Sequence, residues 1–274
     1  MNPGLQMIFQ TRYSYLGASG WQSEPSKQKE LLLDPARLAK RFALFEKMNL
    51  ASLRDQTDRD FKLLLLTSAE LPEDHLRLVT EACHDMIGAD RTIILQRGPA
   101  AAGRMLMKYV RNNMNTSEHA AQIVLDDDAV SVDFVARCRA EAEFAITQFT
   151  PEQPCCYLSF ATGLTGLFHQ DGGVDLIPRE MPFTNLGLAL VGPTSIRKNP
   201  FMLAHKKVAR RHAVRVFHEQ RPFFIRAIHD TNDSRGHRGD ILLEAEGVQN
   251  AMAWFPLLKD LDLVKLRDGA QAAE

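Results

Sequence analysis

The stretch that decides the fold is Gln122-Ile-Val-Leu-Asp-Asp-Asp-Ala-Val130. Its apolar run at 123–125 is typical of a strand buried on both faces of a parallel sheet. Three aspartates follow at 126–128, and residues 131–144 after them carry apolar side chains at helical spacing. This order predicts a strand, a polar loop and a helix. In open α/β sheets such loops lie beyond the carboxyl ends of the strands, where ligands bind.

Three adjacent carboxylates repel one another. At ~4 Å and an effective dielectric constant near 20, each like-charge pair costs roughly 4 kcal/mol. A divalent cation such as Mn2+ or Mg2+ reverses that sign and accepts hard oxygen ligands. Alternatively, the acids begin the next helix, where negative charge favours the positive end of the helix dipole. That alternative explains one or two acids better than three, so the sequence predicts a metal site.

Strand and helix patterns alternate through the first 150 residues. Asp34 as N-cap and Pro35 at the first helical position predict one helix start. The predicted strands are 5–9, 61–67, 91–95 and 123–125, and the helices after them begin at Asp34 and cover 74–87, 103–113 and 131–144. Four such units predict an α/β fold with a mostly parallel sheet flanked by helices.

The pattern changes beyond residue 150, where Pro151 and Pro154 mark a boundary. Residues after Trp254 are predicted to form a frayed tail. Between Pro154 and Trp254 we predict three strands, at 155–160, 185–191 and 223–228. We also predict one helix dense in lysine and arginine, from His205 to His218. The chain is therefore divided into parts at 1–150, 151–255 and 256–274, within a single large domain.

Composition limits the function classes. The 274 residues are 45% hydrophobic and 24% charged with a formal net charge of −1, which is ordinary for a soluble globular protein and gives no argument for a nucleic-acid partner. No apolar run reaches the length of a membrane span. The four cysteines show neither metal-ligand spacing nor a disulfide framework. Reduced thiols and a cytoplasmic location are expected.

Several segments together resemble one family. They are Gln-Thr-Arg-Tyr-Ser-Tyr at 10–15, Arg-Phe-Ala-Leu-Phe-Glu at 41–46 with Ser-Leu-Arg-Asp-Gln-Thr-Asp at 52–58, and Leu-Asp-Asp-Asp-Ala-Val at 125–130 with Asp133-Phe134 after it. This combination resembles the bacterial rhamnosyltransferase family, whose members are similar to nucleotide-sugar glycosyltransferases of the GT-A fold. The resemblance covers most of residues 5 to 235, and its specific part is the first 135.

The resemblance implies a single Rossmann-like domain of the GT-A type. Its first half would bind a nucleoside-diphosphate sugar, and its second half a glycan or lipid-linked acceptor. The family's aspartate motif falls on Asp126 and Asp128, with Asp128 the direct ligand of Mn2+ or Mg2+ and Asp126 nearer the ribose. The family's usual run has four aspartates, and Leu125 stands where the first would be. The alignment of the family motif with Asp126, Asp127 and Asp128 can therefore shift by one residue, and the role of each aspartate is open.

Further site residues follow from the same resemblance. Such enzymes recruit a late histidine to the metal, and His229 is the candidate because it ends an apolar strand. His205 and His212 are weaker alternatives, and a structural role for His229 is the other interpretation. The nucleotide-sugar contacts would be Thr11, Arg12 and Tyr13 after the first strand, Ser68 or alternatively Thr67 at the end of the second, Arg104 at a phosphate, and Asp126 and Asp127. The cations at 206–215 would help neutralise the leaving group or contact a lipid surface, unless they form a solvated face.

An inverting transfer also needs a carboxylate that deprotonates the acceptor hydroxyl. Asp171, Asp175 and Glu180 lie in the second half. Asp171, beside Gly172-Gly173, is the chosen candidate. A retaining transfer needs no such base, so the stereochemistry is open.

Two other functions compete with glycosyl transfer. Asp126-x-Asp128-x-Val130 fits the nucleophile pattern of haloacid-dehalogenase-type phosphatases, with Asp126 attacking phosphorus and Asp128 as acid and base. That motif normally follows the first strand, whereas here three βα units precede it. The other alternative is a glycosyltransferase-like module that binds a nucleotide or glycan without turnover.

Overall fold

The computed structural model describes residues 4–18, 24–114, 118–229 and 241–271. The strands are β1 Leu5–Tyr13, β2 Lys62–Ser68, β3 Thr92–Arg97, β4 His119–Val124, β5 Ala129–Val130, β6 Cys156–Phe160, β7 Thr162–Phe168, β8 Gly173–Glu180, β9 Ala189–Pro193, β10 Ala213–Phe217, β11 Phe224–Ile228 and β12 Asp262–Leu263.

The α-helices are α1 Lys29–Leu32, α2 Pro35–Leu44, α3 Ala51–Arg54, α4 Glu73–Met86, α5 Ala102–Asn113, α6 Phe134–Ile146, α7 Ala245–Trp254 and α8 Val264–Gln271. A π-helical segment, Phe45–Leu50, joins α2 to α3. Short 3₁₀ turns cover Pro25–Lys27, Pro200–Met202, His205–Arg210 and Pro256–Asp260.

The larger sheet has seven strands in the order β10-β6-β9-β4-β1-β2-β3. The first four strands of the chain are mutually parallel, as predicted. Strand β9 lies antiparallel between β4 and β6, so the sheet is mixed. The chain leaves β1 toward β2 and β3 on one side and returns to β4 on the other. The switch point between β1 and β4 is where an open α/β sheet forms its ligand crevice.

The smaller sheet has five strands in the order β12-β8-β7-β11-β5. Strand β5 follows the three aspartates directly and pairs antiparallel with β11. Strands β11 and β7 are parallel neighbours, and β7 forms a hairpin with β8. The acid loop at 126–128 therefore connects the two sheets.

The start of α2 follows from its sequence. Oδ1 of Asp34 accepts a hydrogen bond from the backbone N–H of Arg37 at 2.8 Å, and Pro35 occupies the first turn. This capping satisfies one of the unpaired N–H groups at the helix start. The helix then continues through the π-helical segment into α3, and Phe45, Met48 and Leu53 on it are buried.

Three amide side chains link distant parts of the chain inside the protein. Asn199 donates from Nδ2 to Oε1 of Gln10 at 2.8 Å and to Oε1 of Gln122 at 3.0 Å. Gln10 donates in turn to Gln122 at 3.1 Å. Since all three side chains are buried, these bonds replace water and fix β1, β4 and the turn after Asn199 together.

The predicted helix from His205 to His218 is wrong. The structure has a 3₁₀ turn at His205–Arg210 and then strand β10, which runs parallel to β6. Alternating residues Ala-Val-Arg-Val-Phe fill β10, and β-branched and aromatic side chains favour strands. The sequence pattern alone favours a helix here, because the many cations also fit the polar face of a helix.

The predicted frayed tail is also wrong for the described residues after Trp254. Leu257, Leu258 and Leu263 are buried in the core beneath α7, and β12 pairs with β8. Residues 272–274 lie outside the described part. The segment 256–263 is therefore part of the packed domain.

Candidate active site

The end of β1 is bonded to the first residue of the acid cluster, which comprises residues 126–128. The backbone N–H of Arg12 donates to Oδ1 of Asp126 at 2.9 Å, and its Nε–H donates to the same oxygen at 3.2 Å. Nη2 of Arg12 forms an ion pair with Oδ2. The guanidinium carbon lies 4.1 Å from the centre of the Phe201 ring. Two predicted nucleotide-sugar contacts thus bind each other and fix the loop.

The backbone of the acid loop is held by two buried side chains. Thr11 donates from Oγ1 to the carbonyl of Leu125 at 2.6 Å. Asn49, in the π-helical segment, donates from Nδ2 to the carbonyls of Leu125 at 3.2 Å and Asp126 at 2.7 Å. The sequence analysis did not identify Asn49. The signal that could have done so is its polar amide side chain, which stands at a helix position where the pattern predicts a buried apolar residue. Both residues position the acids rather than contact solvent.

Asp127 faces the histidine that the sequence singled out. Its Oδ2 lies 3.3 Å from Nε2 of His229 and 3.6 Å from Nη2 of Arg41. Burial raises the pKa of the Asp127 carboxyl, but the hydrogen bond from His229 and the charge of Arg41 outweigh it. The resulting pKa lies well below the usual range, so this carboxylate stays ionised.

Asp128 turns toward the second sheet instead. Its Oδ1 accepts a hydrogen bond from the backbone N–H of Ala227 at 2.8 Å, and the residue is 8% exposed. Burial and the neighbouring charge of Asp127 raise the pKa of the Asp128 carboxyl well above its ordinary value, despite the bond from Ala227. Asp127 and Asp128 are thus driven in opposite directions, as expected of adjacent acids in different surroundings.

The donors at the acid cluster fit a divalent cation in part. Across the four described ranges, no three His, Cys, Asp or Glu side chains form a preassembled metal-binding group, so Asp126, Asp128 and His229 are not gathered as one. Asp127 and His229 are, however, 3.3 Å apart. Two ligands at about 2.1 Å from an ion and at right angles are separated by about 3 Å. The geometry therefore favours Asp127 with His229 as the pair of donors.

Arginines from α2 and from the second sheet lie near the acid cluster. Arg37 and Arg41 lie one turn apart on α2, are 9% and 4% exposed, and act electrostatically on the buried hydroxyl of Tyr13. From the second sheet, Arg226 acts on Asp128, and Arg179 lies within electrostatic reach of both. The sequence analysis did not identify these two arginines. Their spacing of four residues, which places both on the same face of α2 as its buried side chains, is the signal that could have done so. Arg12, Arg41, Arg179 and Arg226 thus place four positive charges beside the three carboxylates, which suits a polyanionic ligand.

Tyr13 and Ser68, two predicted nucleotide contacts, lie at neighbouring strand ends but are buried. The hydroxyl of Tyr13 is 2.7 Å from Nε2 of His75, and the two rings stack at 5.8 Å. Burial raises the pKa of the Tyr13 phenol. Oγ of Ser68 accepts from the backbone N–H of Glu70 at 3.2 Å and closes the turn after β2.

Two other predicted residues lie on the surface. Arg104 is exposed in the first turn of α5. Asp171 lies in the turn between β7 and β8, where its Oδ1 accepts from the backbone N–H of Gly173 at 3.0 Å. With its side chain 64% exposed, Asp171 is held by the turn rather than enclosed in a site.

The cations of segment 206–215 have two different surroundings: some are bonded within the fold and others are exposed. The side chain of Lys206 lies outside the described part. Arg215 donates from Nη2 to Glu141 at 2.8 Å and stacks on the Phe144 ring at 4.4 Å. Arg211, by contrast, is exposed and lines a cavity of about 370 Å³ with Lys198. Within the described residues, no helix has the length and apolar character needed to cross a membrane.

Comparisons with known proteins place the chain in a family. The model of the family described as "Putative rhamnosyl transferase" matches residues 6–241. No curated protein sequence matches the chain. Among solved structures, it is similar to a protein described as a "putative nucleotide-diphospho-sugar transferase" from Desulfovibrio desulfuricans G20, with 12% identity, 82% of each chain covered and a TM-score of 0.34. Because the family model spans most of the sequence, the chain belongs to this rhamnosyl transferase family and is a glycosyltransferase.

Proposed function

We propose that the chain transfers a sugar, rhamnose by its family, from a nucleoside-diphosphate donor to a glycan or lipid-linked acceptor with Mn2+ or Mg2+ bound at the acid cluster. The observation that carries this proposal is the Asp127–His229 pair, 3.3 Å apart at the switch point of the sheet. A carboxylate and an imidazole are suitable ligands for such an ion. The surrounding arginines favour the diphosphate.

The transition state of glycosyl transfer sets what the residues must do. Positive charge develops on the sugar while negative charge grows on the departing diphosphate. A bound divalent ion supplies Lewis-acid stabilisation of that leaving group. Arg41 and Arg226, which flank Asp127 and Asp128, would add fixed positive charge that needs no reorganisation during the reaction.

The other predicted contacts take supporting roles in this proposal. Asp126, held by Arg12, would present the loop edge to the ribose, as the family resemblance implies. Thr11, Tyr13 and Ser68 would shape the base-binding side at the ends of β1 and β2. Arg104 would meet a phosphate from α5, and Asp128 would adjoin the metal. Asp171 remains the sequence-based candidate for the base.

The acceptor would bind in the second half of the chain. A cavity of about 570 Å³ lies there, lined by residues that include Thr162, Arg221 and Trp254. Its volume falls in the ordinary range for small-molecule sites. A cytoplasmic enzyme acting on a lipid-linked acceptor would touch the membrane peripherally, and the exposed cations of 206–215 would serve that contact.

A thermal-shift panel tests the proposal. Wild-type protein is titrated with UDP, dTDP, GDP and CDP, each with and without Mn2+. Stabilisation by one nucleotide only in the presence of Mn2+ is expected, and RT ln(1 + [L]/Kd) gives about 2.7 kcal/mol at a hundredfold excess over Kd. Asp127→Ala and His229→Ala should remove the Mn2+-dependent part. Asp74→Ala, in an exposed i,i+3 pair with Arg77, is the matched control and should not.

The competing functions predict different results. A phosphatase would need Asp126 as nucleophile, but both of its oxygens are bonded to Arg12. It would release phosphate from aryl phosphates in an Asp126-dependent manner. A non-catalytic module would bind the nucleotide with Mn2+ but release no nucleoside diphosphate from a sugar nucleotide. Equal stabilisation of wild type and Asp127→Ala by nucleotide and Mn2+ would count against the metal site.

A further inference from the structure

A second cavity, of about 370 Å³, lies against β6, and no step of the proposed transfer uses it. Tyr157 of β6 lines this cavity together with residues of the segment 197–203 and with Arg211 and His212, which precede β10. Its volume falls in the lower part of the ordinary range for small-molecule sites. The cavity is therefore large enough to hold a small ligand of its own.

The charges around this cavity are all of one sign. Histidine aside, every charged side chain from residue 181 to residue 218 is a lysine or an arginine. Three of them, Arg197, Lys198 and Arg211, line the cavity, and none of the three forms an ion pair with an acidic side chain of the described residues. Burial and the charges of Lys198 and Arg211 lower the pKa of His212, so this imidazole is neutral at neutral pH. Because like charges repel one another, an anion in the cavity would be stabilised.

A buried phenol at this cavity adds a hydrogen-bond donor. Tyr157 is 1% exposed, and its hydroxyl makes no hydrogen bond with any other atom of the described residues. The hydroxyl is not one of their fully enclosed atoms, so it opens onto the cavity that Tyr157 lines. Burial raises the pKa of this phenol, and the phenol therefore keeps its proton. Buried hydroxyl groups are usually hydrogen-bonded, so this one indicates a ligand that accepts a hydrogen bond.

Neighbouring contacts fix the segment that carries the cations. Asn199, which also lines the cavity, is held by its bonds to Gln10 and Gln122. Lys198 donates from Nζ to Sγ of Cys155 at 3.5 Å. Since an ammonium has three N–H groups and sulfur is a weak acceptor, Lys198 still has donors for a ligand. These side chains are therefore already ordered, which reduces the entropy lost when a ligand binds.

The cavity is separate from the acid cluster. None of its lining residues belongs to that cluster or to the arginines near it. Phe201, in the same segment, does not line the cavity, and its ring packs on the guanidinium of Arg12 instead, at 4.1 Å. A ligand here would therefore be additional to the nucleotide that the acid cluster is proposed to bind.

We propose that this cavity is a binding site for a phosphate group, which does not depend on the proposed glycosyl transfer. At pH 7 a phosphate monoester carries about −1.5 to −2 charges and three acceptor oxygens, which suit three cations and a phenol donor. A carboxylate offers one charge. Met202 and Leu203 line one part of the cavity with apolar atoms, and Met202 is 50% exposed, so the organic part of an ester has a surface to contact. A phospholipid head group and a soluble phosphate ester present the same oxygens.

Isothermal titration calorimetry with inorganic phosphate and with glycerol 3-phosphate, without Mn2+ and at constant ionic strength, tests the site. Lys198→Met and Arg211→Met should each weaken binding by about tenfold or more, because each removes a hydrogen bond between charged groups. Tyr157→Phe keeps the ring and should weaken binding by about three- to tenfold. Acetate should bind much more weakly than phosphate. Melting temperatures check that each variant is folded.

Lys207→Met and Arg210→Met are the matched controls. Both side chains are exposed on the same cationic segment but do not line the cavity. Each control should leave the phosphate affinity within about twofold of the wild-type value. Losses as large as those of Lys198→Met and Arg211→Met would mean that the general charge of the segment attracts the anion, and would overturn the proposal. Wild-type affinity in Lys198→Met and Arg211→Met, or acetate bound as tightly as phosphate, would also overturn it.

A local NMR signal identifies where the phosphate binds. In protein labelled with nitrogen-15 at histidine, phosphate should shift the ring signals of His212, which His212→Gln assigns, and not those of His229. A shift at His229 alone would place the anion at the acid cluster. That result contradicts the second site and leaves the proposed transfer intact.

Sedimentation with vesicles distinguishes the two sources of the phosphate group. If a lipid head group is the ligand, vesicles of phosphatidylcholine with one-fifth phosphatidic acid should bind the wild type and not Lys198→Met, and vesicles of phosphatidylcholine alone should bind neither. Binding of the soluble phosphates without binding of vesicles identifies a soluble ligand. Absence of binding in both assays overturns the proposal, as does vesicle binding that Lys207→Met weakens as much as Lys198→Met.

Discussion

The buried pair of Arg12 and Asp126 allows a quantitative prediction. Arg12→Met keeps much of the volume of the side chain but removes two charged hydrogen bonds and the stacking on Phe201. The backbone bond from residue 12 to Asp126 at 2.9 Å survives. Breaking one partner of a buried ion pair costs about 3–5 kcal/mol, because the other charge is left unpaired. Arg12 and Asp126 are 5% and 13% exposed, so the full range applies.

That loss converts into a melting temperature. An unfolding entropy of about 2.1 cal/mol/K per residue gives about 0.58 kcal/mol/K for a chain of 274 residues. A loss of about 3–5 kcal/mol should therefore lower Tm by roughly 5–9 °C. Thermal unfolding followed by circular dichroism measures the shift, and urea denaturation measures the free energy of unfolding.

A double-mutant cycle measures the coupling energy between Arg12 and Asp126 separately from any other destabilising effect of each substitution. Asp126→Asn alone leaves the guanidinium buried and partly unpaired, so the double variant with Arg12→Met should be less destabilised than the sum of both changes. Arg54→Met, in the more exposed pair with Asp55, is the control and should change stability by less than about 1 kcal/mol. A cost of Arg12→Met no greater than that of Arg54→Met, or additive effects in the cycle, would refute the reasoning.

Three further outcomes follow from features away from that pair. Asn199→Ala leaves two buried amide oxygens short of a donor and should cost about 2–4 kcal/mol in urea denaturation. Gly187→Ala should destabilise by about 1–3 kcal/mol, because φ is +73° and a Cβ would lie 2.7 Å from the Phe134 ring. Burial lowers the pKa of His75, so the unfolded state binds more protons; the free energy of unfolding should fall as pH decreases below about 6.5, less so in His75→Gln. In the protonated imidazole both ring nitrogens are donors, so only the Tyr13 hydroxyl can then accept in the 2.7 Å contact with Nε2.

Each of these outcomes has a control. Gly98→Ala should be nearly neutral, since a Cβ there meets nothing within 4 Å. His84→Gln, at an exposed position of α4, is the control substitution and should keep the wild-type dependence of stability on pH. If Asn199→Ala unfolds at the wild-type urea concentration, the buried amide network contributes no net stability. Equal costs for the two glycine variants would contradict the steric argument.

The first half of the fold was predictable because its signals are local. The apolar runs of β2 and β4 and the Asp34–Pro35 start of α2 each depend on a few adjacent residues. The structure places these elements within a few residues of the predicted bounds. Strand β10 was missed, because its alternation is short and its neighbours are cations. Alternation over only five residues is too short to indicate a strand when the neighbouring lysines and arginines also fit one face of a helix.

The site was predictable in composition and not in geometry. The sequence indicates an acid cluster near His229, but it cannot tell which aspartate turns toward that histidine. That choice depends on the loop conformation, which Arg12 and Asn49 fix from positions far along the chain. Arg37 and Arg41 were missed for a related reason, because burial of charged side chains is a property of the assembled site.

The position of β9 bears on how the polypeptide is made. This strand, encoded near residue 190, is the bridge that joins the amino-terminal parallel strands to β6 and β10. As the chain emerges from the ribosome, β4 remains an open edge until that bridge arrives. A gene fragment ending at residue 150 should therefore yield aggregated product, and the first 150 residues are not a portable module that recombination could exchange at that boundary.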